Sequence, residues 1–426
     1  MASSPLTYAI DFGTSNSLLG AASNTQTFPP IRLDETSKDP TVMRSLLYFK
    51  NAKEIFWGQK ALNEYIQQDM TGRLLRSFKR FLPAKDFQGT VIASKLWKLE
   101  DIIALFLKNM RLTANSYFDQ DVTSVILGRP ALFSEDLASD KLAQDRLEKA
   151  AQLAGFTQIE FLPEPVAAAY RYRLELEKEE TVLIADFGGG TSDYTLIKLS
   201  KSPFQPSDVL SIGGVPLAGD ALDGSIMRNR LSENFGSKVR YQVPFGQNIL
   251  SMPRSLMMYL CSTAHIQLLM SRENTEFLRQ VKTWSLDESD KRALNQLTIL
   301  LEDQLGFSIF EAIEAAKIQL SHCESGEVVF NYPGITVNES ISRAQFAEYS
   351  RFESHKIADS LDETLKKAGL TYENVDRVCC TGGTAQAYVI RQELEKRFPL
   401  SKLDNFNNFS SVVEGLTQRA YQLLST

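Results

Sequence analysis

Two short stretches of this chain set a carboxylate before a glycine turn rich in hydroxyls. Asp11 ends a run of strand-forming residues and is followed by Phe12–Gly13–Thr14–Ser15. Asp186 ends a similar run and is followed by Phe187–Gly188–Gly189–Gly190–Thr191–Ser192–Asp193. Glycine lets a backbone approach an anion closely. Successive amides in such a turn form a concave anion site, to which Thr14, Ser15 and Thr191 add hydroxyl donors. A carboxylate at the strand end suits Mg²⁺, which favours carboxylate and water oxygens. One such turn would be no more than a hairpin; two in matching strand–turn–strand settings point to phosphates gripped from both sides. No GxxxxGK[ST] run occurs, so the loops are not of the P-loop type. A third glycine turn, Thr381–Gly382–Gly383–Thr384, follows a strand and opens a helix, which aims amides at a ligand.

The elements that position these turns alternate between strand and helix, the pattern of an α/β sheet. Strands are expected before and after each Asp-Phe-Gly turn, and again at residues 122–128, 159–162 and 375–380. Ile102, Ile103, Phe106, Leu107 and Met110 have helical spacing over residues 99–117. A charged helix over 134–154 stops at Gly155, a plausible C-cap. The strand–turn–strand unit therefore occurs twice, which predicts two duplicated lobes facing each other. Residues 256–270 are the most apolar long stretch, but they are interrupted by Cys261, Ser262, Thr263, His265 and Gln267; they read as a buried helix rather than a membrane span. Residues 227–311 lack glycine-rich turns and read as a helical insertion. Val412, Val413, Leu416, Ala420 and Leu423 mark the apolar side of a final helix.

Composition narrows the function classes. A chain of 426 residues exceeds one ordinary hydrophobic core, so two domains are expected. Forty-six basic against 52 acidic residues give a net charge of −6, which argues against nucleic acid or an anionic membrane as a general partner. The one basic cluster, Arg73, Arg76, Lys79 and Arg80, reads equally well as a solvated face. Met1–Pro5 lacks the features of a secretory signal. Four cysteines without metal or disulfide spacing fit a reducing cytoplasm.

Taken in order, the motifs resemble the nucleotide-binding domain of DnaK-type heat-shock chaperones, within the actin and sugar-kinase superfamily. AIDFGTSNS and residues 183–193 resemble its two phosphate loops; VTSVILGRPALF and LPEPVAAAY resemble the segments that connect the lobes. LAGDALD, EAAKIQLS and TGGTAQ follow in the family's order. The resemblance implies an actin-like ATPase fold, with two ribonuclease-H-like lobes that each carry an inserted subdomain. It places lobe I at 1–180 (insertion about 35–115), lobe II at 181–400 (insertion about 226–311), and a helix at 401–426 returning to lobe I.

The same resemblance implies roles. Asp11, Glu164 and Asp186 would surround Mg²⁺, mostly through water. Gly13, Thr14, Ser15, Gly188, Gly189, Gly190 and Thr191 would cradle the phosphates of ATP or ADP. Lys79 would orient the attacking water, with Asp193 beside it. Gly219, Glu314, Lys317, Ser321, Gly382, Gly383 and Thr384 would hold ribose and base. Ile318 and Gln386 stand where the family's pattern sets arginines against the base, and Asn408–Phe409–Ser410–Ser411 replaces a Pro-Asp-Glu-Ala signature. The chain ends at Thr426, before any β-sandwich and lid, so the ATPase engine is expected without the peptide-holding machine. A protein client or co-chaperone would read lobe closure. Two other readings compete: a non-catalytic nucleotide-sensing scaffold, and a metabolite kinase, for which no acceptor base is identifiable.

Overall fold

The computed structural model describes residues 6–68, 71–134, 136–202, 206–263, 265–405 and 411–425. Met1–Pro5 and Asn408–Ser410, both considered above, lie outside the described residues. Two sheets of like topology organise the chain. In the first, β1 (Thr7–Phe12) pairs antiparallel with β2 (Asn16–Ala22), which continues to β3 (Thr27–Phe28). On its other side β1 runs parallel to β4 (Ser124–Arg129), and β4 runs parallel to β5 (Gln158–Pro163). The order is β5–β4–β1–β2–β3. The second sheet repeats this plan. β6 (Glu180–Phe187) forms a hairpin with β7 (Ser192–Leu199), β8 (Val209–Val215) extends it, and β9 (Arg377–Thr381) and β10 (Leu403–Asn405) follow in parallel. Its order is β8–β7–β6–β9–β10. Asp11 and Asp186 are each the penultimate residue of the first strand of their hairpin.

Sequence dictates this arrangement locally. Tyr8, Ala9 and Ile10 of β1, like residues 182–185 of β6, are buried on both faces, as a central strand covered on both sides requires. Helices α1 (Leu99–Phe118) and α2 (Leu137–Leu153) cover one face of the first sheet; α1 buries Ile102, Ile103, Phe106, Leu107 and Met110, the expected stripe. Asp136 caps α2 by accepting from the Ser139 amide, and Gly155 beyond its end takes a φ of 96°.

Two helices lie where the sheets approach. α3 (Glu164–Glu175) sets Val166, Ala167 and Tyr170 against the first sheet, and Ala168 against Val182, Ile184 and Ile197 of the second. α8 (Ser411–Ser425) packs on α3, β1 and β2. The two helices touch through small residues: a Cβ added at Gly415 would lie 1.7 Å from the Ala167 carbonyl oxygen. Val413, Leu416 and Ala420 are buried as expected, whereas Leu423 is 41% exposed and Leu424 packs inward in its place.

Between these elements, residues 46–76 form a three-stranded sheet (Leu46–Phe49, Ile55–Trp57, Arg73–Arg76) with helix Gly58–Gln67. On the other side, α4 (Gly219–Ile226) leads into a mainly helical region and on to α5 (Gly306–His322). The expected single helix over 256–270 is corrected. Arg254–Leu260 is helical, the chain breaks after Cys261, and a short 3₁₀ turn spans Ile266–Met270. Ser262 and His265 hydrogen-bond each other across the break, the kind of local polar pairing that competes with a helix. α6 (Arg351–Lys367) covers β8, and α7 (Tyr388–Arg397) follows the third glycine turn. No described helix is long and apolar enough to cross a membrane.

Candidate functional site

The two Asp-bearing hairpins open into one cleft of about 740 Å³. A Cβ added at Gly189 would lie 2.7 Å from Ser15 Oγ, so the turns approach closely and glycine is needed at their meeting point. The first turn is tied to its neighbours: Ser45 donates its hydroxyl to the Gly13 carbonyl (2.7 Å) and its amide to that of Ser15 (2.8 Å). The second is held from within its own half. Its Gly188 carbonyl accepts from the Gly219 amide (3.3 Å) and Thr384 Oγ1 (2.8 Å), and its Gly189 carbonyl from the Asp220 amide (2.7 Å). The third turn is locked beneath it. Gly382 has a φ of 80°, and a Cβ there would come within 2.2 Å of the Phe187 carbonyl oxygen.

At the base of the cleft Lys79 Nζ meets Glu164 Oε1 at 2.7 Å, both side chains mostly buried. Ser77, with a φ of 53°, turns the chain from strand Arg73–Arg76 into the 3₁₀ turn Phe78–Phe81 and so delivers Lys79 inward. Glu164 is the first residue of α3, and its partner is Lys79 rather than a helix amide. The basic cluster is thus a strand end and a turn, not a helix face. Asp186 Oδ1 accepts from Thr381 Oγ1 (2.8 Å), and Asp193 Oδ2 from Thr191 Oγ1 (2.8 Å).

Burial first, then the Glu164 charge, pushes Asp11 up to about 8, against the pull of Lys79. The same two causes raise Asp186 to about 6. Asp193 rises to about 7, through burial and the charge of Asp186. Burial would lower Lys79, but Glu164, Asp11 and Asp186 together raise it. Negative charge therefore exceeds positive at this point, the condition a divalent cation relieves. Among the described residues no three His, Cys, Asp or Glu side chains converge as a direct ligand set.

The expected residues sit as follows. Asp11, Gly13, Thr14, Ser15, Lys79, Glu164, Asp186, Gly188, Gly189, Thr191, Asp193, Gly219, Glu314, Lys317, Ser321, Gly382, Gly383 and Thr384 all line the cleft. Gly190 does not; it backs onto the Arg80 guanidinium, 3.3 Å from where its Cβ would be. Lys317 is buried and already paired with Asp223 (2.8 Å), and Thr384 spends its hydroxyl on Gly188. Ile318 and Gln386 both reach the cleft, Ile318 with 55% of its surface open.

Sequence reasoning gave no role to Arg44, Asp220, Asp223 or Glu311, and left Arg76 and Arg80 as surface charge. All six line the cleft. The signal for the arginines was their clustering with Lys79; for Asp220 and Asp223 it was their place in LAGDALD. Nothing local marks Arg44 and Glu311, 267 residues apart, as an ion pair at 2.7 Å.

Comparison with known proteins agrees with this architecture. The family model described as Hsp70 protein matches residues 8–298 and 288–420. The chaperone protein DnaK of Halobacterium salinarum is 24% identical over 415 residues, covering 95% of this chain and 54% of that protein. The chaperone protein dnaK of Guillardia theta is 27% identical over 315 residues, covering 72% of this chain and 39% of that protein. The chain thus spans about half or less of the length of these curated relatives. With the family model matched along nearly its whole length and the actin-like α/β fold in place, the chain belongs to the Hsp70 family.

Proposed function

We propose that this protein binds Mg-ATP between its two hairpins and hydrolyses it slowly, using the cycle to open and close two lobes. The observation that carries the reading is the convergence of Asp11, Asp186 and the Lys79–Glu164 pair at the floor of one cleft. Phosphoryl transfer to water asks little of a protein beyond a positioned water and neutralised phosphate charge. Lys79, immobilised by Glu164, would orient that water, and Asp193, steadied by Thr191, would accept a hydrogen bond from it. The amides of residues 13–15 and 188–191 would hold the phosphates, and Glu314 the ribose. Asp11, Glu164 and Asp186 would hold Mg²⁺ through its waters, and the ion when bound would offset the charge of the phosphates and these carboxylates. ADP is the product and second ligand in this reading.

Residues 1–180 and 181–400 act here as the two lobes, with 401–426 returning to the first. Their closure would be read by a protein client or co-chaperone in the cytoplasm. Calorimetry with Mg-ATP on the wild type, Asp11→Asn and Asp186→Asn tests the binding step. If neither change weakens binding, the assignment of this cleft to nucleotide is wrong. Phosphate release then separates an ATPase from a nucleotide-sensing scaffold: binding without turnover selects the scaffold.

A further inference from the structure

The wall of the cleft opposite the second hairpin carries three guanidiniums, and the protein pairs two of them. Arg44 meets Glu311 at 2.7 Å, and Arg80 faces Asp220 at 3.8 Å. Arg76 lines the same cleft, yet has no ion-pair or side-chain hydrogen-bond partner among the described residues. Its guanidinium lies 5.8 Å from the centre of the Phe307 ring, in the first turn of α5. Burial lowers its pKa; the charge of Asp220 acts against that shift and the charge of Arg80 adds to it.

The position is fixed by the backbone. Arg76 is the last residue of its strand, opposite Leu46, and Leu46 follows the Ser45 that anchors the first hairpin. Lys79 enters the carboxylate cluster three residues later, around the left-handed Ser77. Arg76 and Lys79 are therefore carried on one corner of the chain. Across from Arg76 stand Asp220, bonded to Gly189 of the second hairpin, and the helix that carries Glu314 and Lys317.

A guanidinium taken out of water without an anion is unfavourable, and a ring face offsets only part of that cost. An oxyanion offsets more, because the planar fork matches phosphate oxygens. Other cations of the cleft are committed: Lys79 to Glu164, Lys317 to Asp223. Ile318 and Gln386 bring none to the base side. A cation without an ion pair, facing the second hairpin across the cleft, points to one use. We propose that Arg76 is a specificity-determining residue that donates to a phosphate oxygen of the bound nucleotide, favouring ligands with more phosphate charge. This deepens the nucleotide reading above and rests on it.

The test is calorimetry of the full chain with Mg-ATP, Mg-ADP and adenosine, on the wild type, Arg76→Gln, Arg76→Lys and Phe307→Leu. Losing a hydrogen bond to a charged group should weaken Mg-ATP about tenfold to a hundredfold in Arg76→Gln. Adenosine should change by less than about twofold, and Arg76→Lys should recover part of the loss. Phe307→Leu should leave the ratio of ATP to adenosine affinity unchanged. Ligand-free Arg76→Gln should unfold no earlier than the wild type, since it removes a desolvated cation that has no ion pair and only a ring face beside it. Equal loss for ATP and adenosine, no loss for ATP, or the same ATP-specific loss in Phe307→Leu would overturn the proposal. A wild type that binds Mg-ATP while Arg76→Gln matches it sinks this inference alone; a wild type that does not bind Mg-ATP sinks the nucleotide reading and this inference with it.

Discussion

The two hairpins share a strand order but not a way of being held. The first is closed on itself: a Cβ at Gly13 would lie 2.2 Å from the Asn16 carbonyl oxygen, and Ser45 clamps it from an inserted segment. The second has room, since the nearest atom to a Cβ at Gly188 is 3.4 Å away, and its shape comes from α4 and Thr384 within its own half. Charge is divided unequally as well. The first half supplies Arg44, Arg76, Lys79 and Arg80; the second supplies Asp186, Asp193, Asp220, Glu311 and Glu314. Asp11 and Glu164 cross that division beside Lys79, and Lys317, paired with Asp223, crosses it from the second half. One strand order thus carries two different walls, a tightly turned and mainly cationic one and a roomier, mainly acidic one.

The largest expected effect removes the cation at the centre of that contrast. Lys79→Ala should slow single-turnover phosphate release about a hundredfold, the scale of one positioned catalytic group. Mg-ATP binding should persist. Release at the wild-type rate would return Lys79 to a purely structural partner of Glu164.

Next comes the difference in room. Gly13→Ala should lower stability by about 1–3 kcal/mol, as overpacking does, and Gly188→Ala by less than about 1 kcal/mol. Denaturant unfolding of the two variants measures it. Equal losses would show that the hairpins are held alike after all.

The pooled carboxylates predict a pH effect. Asp11, Asp186 and Asp193, raised to about 8, 6 and 7, hold protons in the folded metal-free protein that an unfolded chain has lost. Their stability contribution is therefore complete below about pH 4 and lost as pH rises through about 6 to 8. Mg²⁺ must displace the same protons, so its affinity should rise with pH over about 6 to 8, by up to about tenfold per unit for each proton released, and level off above. Titrations of Mg²⁺ at several pH values, followed by thermal unfolding, check both signs. An affinity independent of pH would mean that the ion binds away from these groups.

The smallest effect lies at the mouth. Arg44→Ala removes a part-exposed ion pair with Glu311 and should cost at most about 1 kcal/mol, less at high salt. A larger loss that salt does not reduce would make that contact a packing element.

What could be read in the sequence was what is local. Asp-Phe-Gly followed by Thr and Ser between two strands is contiguous, and both turns formed where the pattern put them. The stripe on α1 was legible for the same reason. Residues 256–270 misled because apolar content outweighed Ser262 and His265, polar residues that hydrogen-bond each other between the helix and the following 3₁₀ turn. Arg44 and Glu311 were beyond reach, since their meaning depends on which segments face each other across a cleft. Leu423 shows the same gap at smaller scale: it was placed on the apolar face, but Leu424 is the residue of that turn that packs inward.

The bare contact between Gly415 of α8 and the Ala167 backbone has a mechanical reading. Leu416 and Ala420 of α8 pack beside it against Val166, Ala167 and Tyr170 of α3, so the close backbone approach lets these side chains meet as one seam. Glu164 lies three residues from Ala167, about 4.5 Å along the helix axis. Because α3 also packs against the second sheet through Ala168, Glu164 and the lysine it holds are referenced to the packed floor between the sheets and not to either inserted segment.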